Sequence, residues 1–127
     1  MRAVLDTSVV IGPEPPAGWA DEVAVSAVTF AELHFGVLVA RNAAERAERL
    51  RRLVFLEREF PPVPVDASVA VAFGRLAAAT VELGRQPRQR SLDLLIAATA
   101  MAHGASLITR NARDFAGLSG FVAVVEV

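Results

Sequence analysis

The sequence predicts a three-layer α/β/α fold around a short central, mainly parallel sheet. Three observations predict it. Ala3-Val4-Leu5 and Val23-Ala24-Val25 are short apolar runs without a polar face, as strands covered on both sides require. Such runs alternate with longer segments of helical periodicity, the pattern of βα units. At 127 residues and 54% hydrophobic, the chain fits a single domain, 1–127, that can bury a real core.

The elements follow in order. Ala3 to Leu5 reads as a first strand ending on Asp6-Thr7-Ser8. A loop with Pro13, Pro15, Pro16 and Gly18 comes next. After the strand Val23–Val25, Ser26 or Thr29 can cap a helix whose apolar residues Phe30, Leu33, Val37 and Leu38 recur at helical spacing. Mid-helix Gly36 costs about 1 kcal/mol against alanine, which suggests close backbone packing. Asn42 caps a helix from Ala43 to about Phe60, with favourable pairs Glu45–Arg49 and Glu48–Arg52. Pro61-Pro62 ends it, and Val63 to Val65 is a third extended piece. Asp66 caps Ala67–Leu83, apolar enough to be well buried. A polar loop, Gly84 to Arg90, leads to Ser91, a cap for Leu92–His103, which Gly104 stops. Ser106–Ile108 is a strand, Asn111 to Gly117 a short capped turn of helix, and Phe121–Val125 the last strand.

Composition excludes several functions. There is no cysteine, so disulfide scaffolds, thiolate zinc sites and thiol nucleophiles are out; this suits a cytoplasmic protein. All thirteen basic residues are arginine, which removes chemistry that needs lysine. Net charge is −1, so any nucleic-acid site must be local. No stretch resembles a signal peptide, and no apolar run approaches the roughly 18 residues of a membrane span. Leu94 to Ala102 reads as a buried helix.

Four acids stand out. Asp6 follows a buried apolar run, where a carboxylate is costly unless solvated or bound to a cation. An Asx turn would also explain it. Glu32 lies in an apolar helix with no cation four residues away; its plain reading is a helix edge facing water. Asp93 sits in a first helical turn, where acids complement the dipole. Asp114 also reads as a capping-box-like partner of Asn111. Together they are more telling. In a parallel sheet the strand carboxyl ends and the following helix starts share one rim, so all four can converge there. Clustered carboxylates repel, and a divalent cation resolves this. Oxygen-only donors point to Mg2+ or Mn2+ and not zinc.

These residues resemble a known family. VLDTSVVI at the start, FAELHFGV around Glu32, SLDLLIAATAMAHGASLITRNARDF from Ser91 to Phe115 and the closing apolar strand are similar, in the same order, to PIN-domain nucleases, and within them to VapC-type toxins of VapBC toxin–antitoxin pairs. The resemblance implies a PIN-like fold and a metal site formed by Asp6, Glu32, Asp93 and Asp114, with Thr7 or Ser8, Thr109 and Asn111 supporting it by hydrogen bonds. It also implies a homodimer and a VapB-like cognate antitoxin that folds on the toxin. The Pro-rich stretch after Ile11 departs from the expected short helix.

The expected activity is metal-dependent endoribonuclease cleavage of single-stranded loops in structured RNA. A metal held by Asp6, Asp93 and Asp114, most directly by the first two, would lower the pKa of the attacking water. Glu32 would act through water or help remove its proton. Arg85, Arg88, Arg90, Arg110 and Arg113 surround these acids and are candidate phosphate contacts. His34 and His103 are weak candidates for any role, and Trp19 and Phe115 are possible base-stacking residues better explained by packing. Phe35, Leu38, Phe55 and Leu56 are expected on an exposed apolar surface for the partner. Alternatives are an RNA-processing or DNA-directed PIN nuclease and a non-catalytic binding module. A receiver-like domain lacks its lysine here, and a haloacid-dehalogenase-like phosphatase lacks its second aspartate, because position 8 is Ser8.

Overall fold

In the computed structural model, residues 1–13 and 20–127 are described. Pro15, Pro16, Gly18 and Trp19, assigned above to a loop and to base stacking, lie outside the described residues. The strands are β1 (Arg2–Leu5), β2 (Glu22–Val25), β3 (Ser106–Thr109) and β4 (Val124–Glu126). The helices are α1 (Thr7–Val10), α2 (Ala27–Leu38), α3 (Ala43–Glu59), α4 (Ala67–Glu82) and α5 (Ser91–Ala102). Two 3₁₀ turns, Pro87–Arg90 and Ala112–Phe115, stand beside α5 and after β3.

The sheet order is β2-β1-β3-β4, and every pairing is parallel. Val4 pairs with Ala24 on one side and Leu107 on the other; Leu5 pairs with Val25 and Ile108. Side chains alternate between the faces, so the sheet feeds two cores. Val4 and Leu107 pack with Val69, Leu76, Ile96 and Ala100 of α4 and α5. Ala3, Leu5 and Ile108 pack with Val9, Phe30, Val37 and Leu53 of α1, α2 and α3. This two-sided burial explains the unbroken apolar runs of the strands. Parallel pairing also brings the carboxyl ends of β1, β2 and β3 to one edge.

Three caps are as the residue types predict. Ser26, Asn42 and Asp66 accept from the backbone N–H of Val28, Glu45 and Val69. Ser91 is different. The Pro87–Arg90 turn runs straight into α5, Arg90 takes the N-cap position, and the Ser91 hydroxyl donates backwards to the Pro87 and Arg88 carbonyls. Proline at the start of the turn presets its φ, so the helical path begins one turn early.

Other expectations are corrected. The four-residue α1 is too short to show a helical period; burial of Val9 and Val10 holds it. The extended piece at Val63–Val65 shrinks to one parallel bridge, Ser26 with Val63, because Pro62 and Pro64 offer no N–H to a ladder. The last strand begins at Val124 because Phe121 belongs to a turn closed on Leu118. Helix α4 is only half covered: Leu76 is fully buried, while Val71 and Val81 are exposed. Glu45 pairs with Arg49, but Glu48 pairs with Arg51. Arg52 instead donates to the carbonyls of Val10 and Gly12, tying α3 to the end of α1. Gly36 leaves its carbonyl open to Arg49, 2.6 Å away. Phe35, Leu38 and Phe55 are exposed, at 66%, 74% and 56%, whereas Leu56 is buried.

Leu76 is fully buried where α4 meets α5 and the sheet. Leu76→Ala should lower unfolding free energy by about 2–5 kcal/mol, measured by urea denaturation.

Candidate metal centre

The site grows from the edge where β1 and β3 end. Asp6 directly follows β1, and its backbone N–H continues the ladder to the Ile108 carbonyl at 2.8 Å. Asp6 is 5% exposed, and its side chain caps no helix, although it precedes α1. Instead Oδ2 accepts two hydroxyls, Ser8 Oγ and Thr109 Oγ1, both at 2.8 Å. Those hydroxyls accept in turn from the backbone N–H of Arg110 (3.1 Å) and Asn111 (3.0 Å). Backbone dipoles at the end of β3 thus act on the Asp6 carboxylate through two hydroxyls. Oδ1 takes no hydrogen bond from the described residues.

Glu32 is held from the other side. Thr7 Oγ1 donates to its Oε1 at 2.8 Å, and Thr29 Oγ1 lies 3.0 Å from Thr7 Oγ1. Thr7 has one proton, so Thr29 donates to Thr7. Thr7 and Ser8, the first two residues of α1, therefore fix Glu32 and Asp6 respectively. Asp114 does not cap its turn with Asn111: its carboxylate pairs with Arg90, 2.8 Å away. The Asn111 side chain makes no hydrogen bond among the described residues; only its backbone takes part.

Asp93, in the first turn of α5, registers the other three. Its pKa is raised, first by burial and then by the negative charges of Asp6, Asp114 and Glu32, with Arg90 opposing. All four acids therefore act within one electrostatic neighbourhood. Among the described residues no three acids are drawn together tightly enough to hold an ion as they stand. Hydroxyls hold Asp6 and Glu32 in place, and Arg90 holds Asp114. In chemistry the donor set fits a hard divalent cation: carboxylate oxygens only, several of them, Asp6 Oδ1 and Glu32 Oε2 included, without a protein donor among the described residues, and mutual repulsion that a cation would relieve.

The arginines divide. Arg85, Arg90 and Arg113 line a shallow cleft of about 410 Å³ with Asp114, and Arg88 and Arg90 line one of about 340 Å³ with Glu32 and Asp93. Arg85 also donates to the Ala116 carbonyl at 3.2 Å. Arg110 turns towards its own chain: it donates to the Pro13 carbonyl, and its buried Nε lies against Gly12, where a Cβ would come within 2.7 Å. His34 pairs with Glu57, His103 ends α5, and Phe115 is core.

A parallel sheet with four acids at its carboxyl rim defines the class: the chain belongs to the PIN-domain family, whose model matches residues 3–120. Within the family it is similar to ribonuclease VapC5 of Mycobacterium tuberculosis, 40% identical over 126 residues that cover 95% of this chain and 90% of that protein. Ribonuclease VapC4 of the same organism is 36% identical over 92% of this chain and 91% of its own length. Among solved structures, the VapBC-5 toxin–antitoxin complex from M. tuberculosis superposes with a TM-score of 0.87 at 39% identity, covering 99% of this chain and 98% of that one. FitAcB from Neisseria gonorrhoeae gives 0.78 at 28% identity over 98% and 96%.

Thr29, Arg90 as the partner of Asp114, and Arg52 are features that sequence reasoning did not assign. Thr29 carried a signal, because it precedes Glu32 by three residues and so shares its helix face. The Asp114–Arg90 pair carried none, since 24 positions separate the two residues.

The raised pKa of Asp93 predicts a pH-dependent stability effect. Ionisation is harder in the folded state than in the unfolded chain, so the penalty is absent below the unfolded value and complete above the folded one. Asp93→Asn, measured without divalent ions, should therefore melt a few degrees higher than the parent at neutral pH. The difference should shrink as the pH falls through the carboxylate range.

Proposed function

We propose that this chain is the endoribonuclease toxin of a toxin–antitoxin pair and that its activity depends on Mg2+ or Mn2+. The carrying observation is the acid quartet at the strand rim, where Asp93 is held less acidic by burial first and then by the charges of Asp6, Asp114 and Glu32. The similar VapC5 and VapC4 proteins are named ribonucleases, which supports RNA as the substrate.

Asp6, Asp93 and Asp114 would hold the ion. When bound, the ion supplies a lowered water pKa and charge stabilisation at the phosphodiester. Asp6 is positioned for this by Ser8 and Thr109, which occupy Oδ2 and leave Oδ1 for the cleft. Glu32 is held at Oε1 by Thr7, which leaves Oε2 to take a proton from the attacking water. Arg85, Arg88, Arg90 and Arg113 would hold the strand by its phosphates. Shallow clefts admit single strands and provide no device to open a duplex. Single-stranded loops of structured RNA are therefore the proposed substrate.

The proposed partner is a VapB-like antitoxin, as in the similar VapBC-5 complex. Phe35 and Leu38 of α2, Val39 just after it and Phe55 of α3 form the exposed apolar surface it would cover. A separate cavity of about 500 Å³, lined by Gly36 of α2 and by Arg49 and Leu53 of α3, extends to Thr7 and Glu32, so a segment seated in it would reach the acid rim. A homodimer is proposed on other faces, with Val71 and Val81 of α4 as exposed apolar candidates. No described helix is long and apolar enough to cross a membrane; action in the cytoplasm is part of the proposal.

Asp6→Asn keeps an acceptor oxygen for Ser8 and Thr109 and removes the charge. Cleavage of a structured RNA should fall at least about a hundredfold, with the melting curve retained, and EDTA should abolish parental cleavage. A perfect duplex of the same sequence should resist. Full activity in Asp6→Asn, or in EDTA, would contradict the mechanism.

The partner surface predicts a separate outcome. Phe35→Glu with Leu38→Glu should abolish co-purification with the product of the adjacent reading frame while RNA cleavage continues. Retained co-purification would move the antitoxin elsewhere.

A further inference from the structure

We propose that Arg90 is an internal counter-ion, which neutralises Asp114 in the metal-free protein, is displaced from it by the divalent cation, and then serves an RNA phosphate. The inference rests on the metal-dependent reading above and assigns to one side chain the coupling of metal to RNA.

Four observations carry it. Arg90 Nη1 lies 2.8 Å from Asp114 Oδ1, and among the described residues it is the only cation paired with any of the four acids. Arg90 stands at the N-cap position of α5, three residues before Asp93, and its charge acts on Asp93 as well. It therefore faces two of the proposed ligands from one backbone position. Both side chains of the pair remain part-exposed, at 39% and 33%, so separating them leaves neither charge stranded in an apolar interior. Lastly, Arg90 borders both shallow clefts, the one with Asp114, Arg85 and Arg113 and the one with Glu32, Asp93 and Arg88.

The physical argument is competition for one carboxylate. Asp114 cannot keep the guanidinium on Oδ1 and give that oxygen to a divalent ion. The ion carries twice the charge and is attracted by Asp6, Asp93 and Glu32 as well. Displaced, the guanidinium loses its acceptor beside a strand of phosphate groups, which its planar fork suits as well as it suits carboxylate. No bond is made or broken in this exchange; one charge partner replaces another. Linkage then requires reciprocity: if the metal frees Arg90 for RNA, RNA must favour the metal by the same factor. A purely structural Arg90, pinning the Pro87–Arg90 turn to the Ala112–Phe115 turn, would produce no such coupling.

The test is calorimetric titration of the full chain with MnCl2 in the absence of RNA. Arg90→Gln should bind Mn2+ about two- to fivefold more tightly than the parent, the range for loss of a part-exposed competing ion pair. Arg88→Gln removes the same charge from the neighbouring wall but no ion pair, and should change Mn2+ affinity less. In parallel, fluorescence anisotropy with a hydrolysis-resistant phosphorothioate RNA hairpin should show the parent binding more tightly with Mn2+ than without. Arg90→Gln should lose most of that enhancement. If Arg90→Gln does not fold, Arg90→Lys, which keeps the charge but loses the fork, should still bind Mn2+ more tightly than the parent and respond less with RNA. Unchanged or weakened Mn2+ binding in a folded Arg90 variant overturns the proposal while metal dependence stands. A parent that binds no Mn2+ at all removes the metal reading and this inference with it.

Discussion

Asp6 is nearly out of water, and the rim of the sheet is arranged around its charge. A carboxylate in such a place is tolerated only with partners. Its partners are hydroxyls and not cations, each fed by a backbone N–H from the segment that follows β3. That choice has consequences. Hydroxyls stabilise the charge by dipole without cancelling it, so Asp6 still acts on its neighbours. An arginine in their place would have made the fold more comfortable and removed the field. The short helix α1 serves the same end. Thr7 and Ser8 are consecutive, yet one reaches Glu32 and the other Asp6, which a helical turn allows and an extended chain, with its side chains alternating, would arrange differently.

Fixing α1 is therefore worth structure elsewhere. Arg52 on α3 donates to the carbonyls of Val10 and Gly12, where the short helix ends and its acceptors would otherwise lack partners. Arg110 donates to Pro13 just beyond. Two arginines that a sequence reading would count as surface charge thus brace the element that positions two acids. The contrast with Arg88, whose guanidinium has no hydrogen-bond partner among the described residues, shows why composition alone could not apportion the thirteen arginines between structure and binding.

Much of the architecture was legible because it follows from burial. Apolar strands without alternation imply a sheet covered on both faces, and the observed order β2-β1-β3-β4 meets that requirement. The caps Ser26, Asn42 and Asp66 were legible because capping is decided within three residues. What could not be read was set by contacts distant in sequence. Ser91 looks like a cap, but the proline-initiated turn before it takes over the helix start. Val63 looks like a strand until the prolines on either side are counted. The four acids could be placed on one rim from parallel topology, whereas the bonds that hold them, Thr109 to Asp6 across 103 positions and Arg90 to Asp114, have no local trace.

On the proposed function, a nearly neutral chain must place positive charge for RNA where negative charge is also concentrated, and the two sets would ordinarily cancel. The geometry avoids this by giving them different attachments. Asp6 sits at a strand end, Asp93 and Asp114 in first helical turns and Glu32 within α2, with Asp6 and Glu32 held by short hydroxyl bonds, while Arg85, Arg88 and Arg90 occupy one polar segment before α5 on long, flexible stems. Flexible cations can follow a substrate, and rigid anions cannot follow an arginine. The Arg90–Asp114 pair is the one place where the sets meet, and it is part-exposed. A pair in water separates at small cost, so the neutralised resting state does not prevent the charged working one.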